Sequence, residues 1–389
     1  MSSRSKKKFR LPVWMHGPMY SAVRLASAAV QVTGINTSLR ALRKVGGAFA
    51  EMPFNSVRLQ RAIDNISWCF PHWDDRRVRA HAVEAYRHLF ALAAEISITP
   101  RLLSRDGYAN VVEIGELKSA LDDLLCGRPA ILITGHCGNW ELLGGTLAAL
   151  GFPVHALYRP LDMKPLDDWM HRTRSRRGLI LVDKFGATER LPSLLEQGLP
   201  VGFIADQNAG DRGLFVPFFN RLASTYKTIG LLAQRYDAPV ICGHARRLSG
   251  IPHADDAMAP EADSADEAAN DSQLFRYRLD VVDVIRPDDW KDRPDPLFYI
   301  TARYRRAIEA MVRRAPEQYL WMHRYWKSRP VHEREGRPFP ARLREKLEQL
   351  PWMTATELER IVRRSAQDAE EYRRRTQPGP NAVVAPSTH

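Results

Sequence analysis

Cysteine is scarce. The 389 residues hold four, Cys69, Cys126, Cys137 and Cys242, and no two of them form a C-x-x-C pair. That spacing speaks against a zinc knuckle and predicts reduced thiols in a reducing compartment. Long hydrophobic runs are missing too. The start, MSSRSKKKFR, is basic, and the stretch 11–35 is interrupted by His16, Arg24 and Gln31. A spanning helix takes about 20 mainly apolar residues, so the sequence predicts neither a secretory signal nor a membrane-crossing helix. No internal repeat is visible. Acid falls short of base: 45 Asp+Glu stand against 57 Lys+Arg, a net charge of +12. Such an imbalance points to an anionic partner, whether nucleic acid, an acidic membrane surface or an acidic protein. The rest is ordinary. With 44% hydrophobic and 26% charged residues the chain is neither disordered nor fibrous, and its length allows a large core.

Composition shifts divide the chain. Residues 1–35 join a cationic leader to Val13, Trp14, Met15, Met19 and Tyr20 among small residues. This pattern suits an interfacial anchor on an anionic leaflet, or equally a helix packed on the body behind a solvated tail. Residues 36–126 read as helical: Val78, Ala82, Val83, Tyr86, Phe90 and Ala93 recur at helical steps. From Gly127 to about 330, short apolar runs at 130–134, 154–158, 179–182, 201–205 and 240–243 alternate with helical patterns near 141–150, 164–177, 188–197 and 226–237. A further strand is expected at 274–285 and a helix at 297–314, with Ile300, Tyr304, Ala307, Ile308 and Met311 inward. Alternation of this kind predicts an α/β fold, a mostly parallel central sheet with helices on both faces and a helical N-terminal region. The segment 249–273 carries seven acids and no Lys or Arg, and is expected as a solvated surface insertion. Residues 331–389 are expected to form a helical and disordered tail, frayed from Thr376.

The sharpest local signal is Thr134-Gly135-His136-Cys137-Gly138-Asn139-Trp140-Glu141. A strand runs into a turn and then a helix, which puts His136 at a strand's C-terminal end, where open α/β sheets place ligands. Glu141 is expected to hold the imidazole in one tautomer, leaving the other nitrogen as general base. The flanking glycines let backbone approach a reacting carbonyl. A structural histidine capping the turn is the plainer alternative. Cys137 as nucleophile would need a base, and adjacent residues in a turn rarely face one another. Arg159 follows the second strand. Arg172, Arg174, Arg176 and Arg177 crowd a helix end, as a solvated face or as a phosphate clamp. Asp206 and Gln207 end the fourth strand and would sit near His136 if the first and fourth strands are neighbours. The apolar stretch 213–219 reads as a loop, either plain core or a slot for a hydrocarbon chain.

These motifs, taken with Tyr158-Arg159-Pro160, Phe215-Val216-Pro217-Phe218-Phe219 and the end piece Pro316-Glu317-Gln318-Tyr319-Leu320-Trp321-Met322-His323-Arg324, resemble the lipid A biosynthesis (lauroyl/myristoyl) acyltransferases. These lie within the lysophospholipid acyltransferase superfamily. The resemblance covers about residues 15–330 and implies a glycerolipid-acyltransferase-like fold. It implies transfer of a fatty acyl chain from acyl carrier protein, or acyl-CoA, to a hydroxyl of an anionic glycolipid, a lipid A precursor, at the cytoplasmic face of the inner membrane. His136 is then general base and Glu141 its partner, with no covalent intermediate. Arg159, Arg174, Arg176, Asp206, Gln207 and Arg324 would bind substrate, and no metal or redox cofactor is implied. Acylation of another glycolipid, such as a phosphatidylinositol mannoside, would use the same motif. A nucleic-acid-binding module would need a focused basic face, whereas the cations here are spread along the chain. Many family members begin with a plain spanning helix, and the N-terminal stretch here is more polar.

Overall fold

Short β-branched runs separated by amphipathic stretches fold here into one seven-stranded sheet. The computed structural model describes residues 12–103, 107–176, 178–248 and 274–376. The basic leader, the acidic insertion 249–273 and the end from 377 lie outside the described residues. Four helices come first: α1 (His16–Val32), α2 (Ile35–Ala50), α3 (Ser56–Cys69) and α4 (Asp75–Leu102). Asp74 caps α4 by accepting the Arg77 backbone N–H at 2.6 Å. A short edge strand, β1 (Val112–Ile114), then interrupts the helical stretch and precedes α5 (Lys118–Leu125).

The alternating part follows as β2 (Ile131–Thr134), α6 (Trp140–Ala149), β3 (His155–Tyr158), α7 (Lys164–Ser175), β4 (Ile180–Asp183), α8 (Ala187–Glu196) and β5 (Val201–Ile204). A hairpin of β6 (Leu214–Phe218) and β7 (Arg221–Thr225) leads to α9 (Thr228–Tyr236), β8 (Val240–Arg247), β9 (Tyr277–Ile285), α10 (Pro287–Trp290) and α11 (Pro296–Arg314). The sheet order is β1-β9-β8-β2-β5-β3-β4. Neighbours are parallel except β8 and β9, which run antiparallel. The mostly parallel sheet expected from the sequence is therefore present.

The first and fourth predicted strands, β2 and β5, are neighbours, and Thr134 is in register with Ile204. His136 and Asp206, each two residues further on, consequently leave adjacent strand ends. The stretch 213–219, read as a loop, is instead the first arm of the hairpin; Val216 and Phe218 are fully buried in the main core. It packs as core: α11 lies against it, and Leu214 and Phe215 sit partly buried on the same cluster. The strand expected at 240–243 continues to Arg247 past a bulge at Cys242/Gly243, which carries Ala245 and Arg247 under the turn that holds His136.

The two faces of the sheet are packed differently. Ile131, Ile133 and Val201 point into a closed core shared with α8, α9 and α11. On the other face Leu132, Leu143, Ala156 and Tyr158 are only partly buried. The space they leave is the candidate site.

Candidate active site

The turn 135–139 is held in place before any substrate arrives. Gly138 has φ +61°, and a Cβ there would lie 2.0 Å from the carbonyl oxygen of Ala245, so no side chain fits. The Gly138 N–H donates to Gln318 O (3.0 Å), the Asn139 N–H to Ala245 O (2.8 Å), and the Leu320 N–H to His136 O (3.1 Å). Asn139 caps α6 through Leu142 N (2.8 Å), while its amide donates to the wholly buried Glu95 of α4 (2.9 Å). Glu95 also accepts the Tyr277 hydroxyl (2.5 Å) and pairs with Arg247 at 2.7 Å. Arg247 in turn exchanges hydrogen bonds with the Gln318 amide, at 2.8 and 3.0 Å. His88 of α4 lies 3.0 Å from Gly138 O, and burial together with the nearby Arg247 charge pushes its pKa down to about 3. It therefore stays neutral.

Within this frame the His136 Nδ1 sits 2.7 Å from Asp206 Oδ1, and the His136 backbone N–H donates to Oδ2 at 3.0 Å. Burial opposes charge on the imidazole. The Asp206 carboxylate, by its charge and its hydrogen bond, and Glu141 more remotely outweigh that and raise the pKa above the ordinary histidine value. Burial would likewise raise Asp206, but His136 and then Arg305 pull it down to about 2. Arg305 of α11, itself fully buried, donates to the main-chain oxygen of Asp206 at 2.5 Å and lies 3.8 Å over the Phe218 ring. Trp140 meets the imidazole edge-on, with ring centroids 4.9 Å apart.

The expected pairing of His136 with Glu141 is not what the structure contains. Glu141, on the first turn of α6, faces α7, where Arg174 grips it with two parallel bonds, Nε to Oε2 at 2.8 Å and Nη2 to Oε1. Asp206 is closer to the ring because β5 adjoins β2. The Cys137 thiol is buried, and that burial followed by the Asp206 charge raises its pKa strongly. No thiolate nucleophile is poised there.

His136, Trp140, Glu141, Arg159 and Arg174 stand at one end of an apolar cavity of about 500 Å³, within the range of ligand sites. It lies between the sheet and α5 and α6. Leu132 and its register partner Ile241 line it, about 7 Å back along the strand from Thr134, where β2 ends, at 3.3 Å per strand residue. Leu121 and Leu124 of α5 and Leu147 of α6 continue the apolar wall.

The other expected residues are dispersed. Arg159 is exposed but lines the cavity. Arg176 is exposed at the C-terminal cap of α7, outside the lining, and Gln207 is half-buried just past Asp206, also outside it. Arg324 lines a separate groove. The sequence reading passed over Glu95, Arg247, Tyr277 and Arg305. The available signal was an ionisable residue inside an apolar stripe. Arg305 falls on the inner face of α11 with Thr301, Ile308 and Val312, all buried.

A histidine held by a buried carboxylate thus opens on a hydrocarbon-lined cavity at the end of a mostly parallel sheet, an arrangement that could serve acyl transfer. The chain belongs to the bacterial lipid A biosynthesis acyltransferase family, which it matches over residues 5–328. It is 28% identical over 293 residues to the lipid A biosynthesis palmitoleoyltransferase of Escherichia coli (strain K12), covering 74% of this chain and 84% of that one. Identity is 24% over 280 residues to a Haemophilus influenzae lipid A biosynthesis acyltransferase (69% and 76% covered). It is again 24% over 276 residues to the Escherichia coli lipid A biosynthesis lauroyltransferase (68% and 78% covered). The reaction is acyl transfer in lipid A biosynthesis, with an acyl donor and a lipid acceptor.

Proposed function

We propose that the chain moves a fatty acyl group from an acyl carrier protein thioester directly to a hydroxyl of a lipid A precursor, with His136 as general base. The His136–Asp206 pair at the mouth of the apolar cavity carries this reading. Asp206 fixes Nδ1, so Nε2 is the nitrogen that takes the hydroxyl proton as the oxygen attacks the thioester carbon. The C–S bond of the tetrahedral intermediate then breaks, and the departing sulfur receives that proton back from the imidazolium. The acyl chain lies in the cavity, where each buried methylene contributes about 0.8 kcal/mol. The N–H groups of His136, Gly138 and Asn139 are already engaged, so the developing oxyanion falls to Arg174, whose Nε and Nη2 hold Glu141 and whose Nη1 is then the donor, with Arg159 beside the mouth. The net +12 suits a donor protein that is acidic and an acceptor that carries phosphate.

The test is incubation of the purified chain with an acyl carrier protein thioester, or separately acyl-CoA, and a lipid A precursor. The expected product is precursor heavier by one acyl group, formed faster from the carrier-protein donor. Intact mass of the enzyme with donor alone should show no adduct. A covalent acyl-enzyme, or precursor left unchanged by both donors, would overturn the proposal.

The enzyme is proposed to sit on the cytoplasmic face of the inner membrane as a peripheral protein. Among the described residues no helix is long and apolar enough to cross a membrane. Val13, Trp14, Leu25 and Val32 at the N-terminus are strongly exposed, and the preceding Lys6, Lys7 and Lys8 would each add about 1 kcal/mol near anionic lipid. Carbonate or high salt is expected to release much of the protein from membranes, and extraction by detergent alone would contradict a peripheral attachment.

A further inference from the structure

The family match ends at residue 328, yet the chain folds on into α12 (Val331–Glu335), α13 (Ala341–Glu348) and α14 (Ala355–Thr376). A buried ionic knot docks α14. Asp368, almost wholly buried, receives Arg221 at 2.7 Å, Arg329 at 2.6 Å and Arg364 at 3.0 Å. Glu333 receives Arg329 and, at 2.6 Å, the Ser365 hydroxyl. An ordinary tail would not bury so many charges, because each costs several kcal/mol to desolvate unless it is paired.

The docked helix builds something. Together with α3 and the end piece it encloses a concave groove of about 790 Å³, lined by six cationic side chains and three carboxylates. Arg221 and Arg329 belong to the knot, and Arg375 has Glu371 at 3.8 Å. Arg61, Arg324 and Lys327 have no carboxylate partner among the described residues. Arg61 donates to Met322 O at 3.1 Å, and its guanidinium is disfavoured first by burial and then by the like charge of Arg324. Arg61 and Arg324 therefore repel each other across the groove, an effect that Asp64 offsets in part and that an anion would relieve. Trp68 and Tyr372, neither of them buried, supply rings in the same groove, while Tyr325 and Trp326 are buried beneath it. The groove is separate from the cavity but linked to the His136 turn by the end piece, whose Leu320 N–H donates to His136 O at 3.1 Å four residues before Arg324. Arg324 follows His323, whose imidazole feels both Asp206 and His136 behind the larger effect of burial.

We propose that this groove, walled by the C-terminal helix α14, binds the phosphorylated sugar headgroup of the acceptor lipid. The inference rests on the acyl-transfer reading above. Guanidinium and ammonium groups match phosphate oxygens, and aromatic faces match the C–H faces of a sugar ring. The concavity favours a compact headgroup over an acidic protein, whose interface would be broad and shallow.

Titration calorimetry of the full chain tests it, with glucosamine phosphate, inorganic phosphate, glucosamine and phosphatidylglycerol vesicles as separate probes. Glucosamine phosphate should bind most tightly of the three small probes, and less so at high salt. Arg324→Gln and Lys327→Gln, both at exposed positions, should each weaken it about tenfold, the scale of one charge-assisted bond. On the unaltered protein, glucosamine phosphate should compete with the lipid acceptor and raise its KM while leaving the donor's KM alone. Three results would overturn the proposal. One is unchanged affinity in the double variant. A second is inorganic phosphate binding as tightly as the phosphorylated sugar, which marks a free-phosphate site. The third is binding to vesicles alone, which marks a membrane contact. Calorimetry needs no turnover, so a protein that binds the sugar phosphate through these residues but transfers no acyl group would refute the transfer reading and not the groove.

Discussion

His136→Ala should lower the rate by about two to four orders of magnitude, the usual share of a general base, while the protein still folds. The side chain follows the C-terminal end of the central strand β2 and faces the cavity, and its removal strands only the Oδ1 of Asp206, whose Oδ2 keeps the His136 backbone N–H and whose charge keeps that of Arg305 nearby. Asp206→Asn should cost a similar amount by a different route. An amide cannot stabilise the imidazolium, and it can present its NH₂ to Nδ1 and so select the wrong tautomer. The pH profile separates the two effects. Because Asp206 and, more remotely, Glu141 raise the His136 pKa above its ordinary value, the base is protonated and idle at acid pH. It becomes active only as pH rises through that raised value. In Asp206→Asn the acid limb of kcat/KM should move to lower pH, since burial then acts with less opposition. Glu141→Gln should move it far less. If Glu141→Gln shifts the limb and Asp206→Asn does not, Glu141 is the functional partner in spite of the geometry.

Arg174→Ala should cost about two to three orders of magnitude in kcat, the range for losing one oxyanion donor, with a smaller effect on stability. The ion pair with Glu141 is only partly exposed, with side chains 22% and 11% accessible, so some destabilisation is expected from leaving the carboxylate unpaired. Arg174→Lys restores charge but not the two parallel bonds and should recover part of the rate. Steady-state kinetics with melting curves on the same preparations decide the matter. Wild-type kcat in a folded Arg174→Ala protein would remove Arg174 from the chemistry and leave it as the holder of Glu141.

How far the sequence could be read depended on distance along the chain. The strands were legible because each is a short apolar run between turn residues, and the His136 turn was legible because glycines bracket it. Alternation left the order of the strands open, so Asp206 could be placed near His136 only on the condition that β2 and β5 are neighbours, which the structure shows them to be. The partner of Glu141 was not legible. Nothing in a spacing of five residues says whether a carboxylate on the first turn of a helix faces back to the turn or outward to the next helix, and Arg174 supplied the attraction. The strand at 112–114 escaped because three residues are too few to show a period. The hairpin at 214–225 escaped because its first arm is apolar on both faces, buried as it is beneath α11. Arg324 was grouped with the site from its motif, and the chain path carried it round to another groove.

The bond between Glu95 and Arg247 sets the smallest piece of this chain that can be made by itself. The acid stands on α4 and the base at the end of β8, and both are completely shielded from water. A fragment begun at Gly127, where the alternating pattern starts, would carry Arg247 without its counter-charge. Orphaning a buried charge in this way costs about 3–5 kcal/mol, a large part of the 5–15 kcal/mol that holds a typical domain folded. The same cut removes β1 from the sheet edge and α4 from beneath the His136 turn. The helices before Gly127 are therefore no detachable prefix. The sheet and α4 form a single cooperative unit, and expression boundaries drawn inside it should yield insoluble protein.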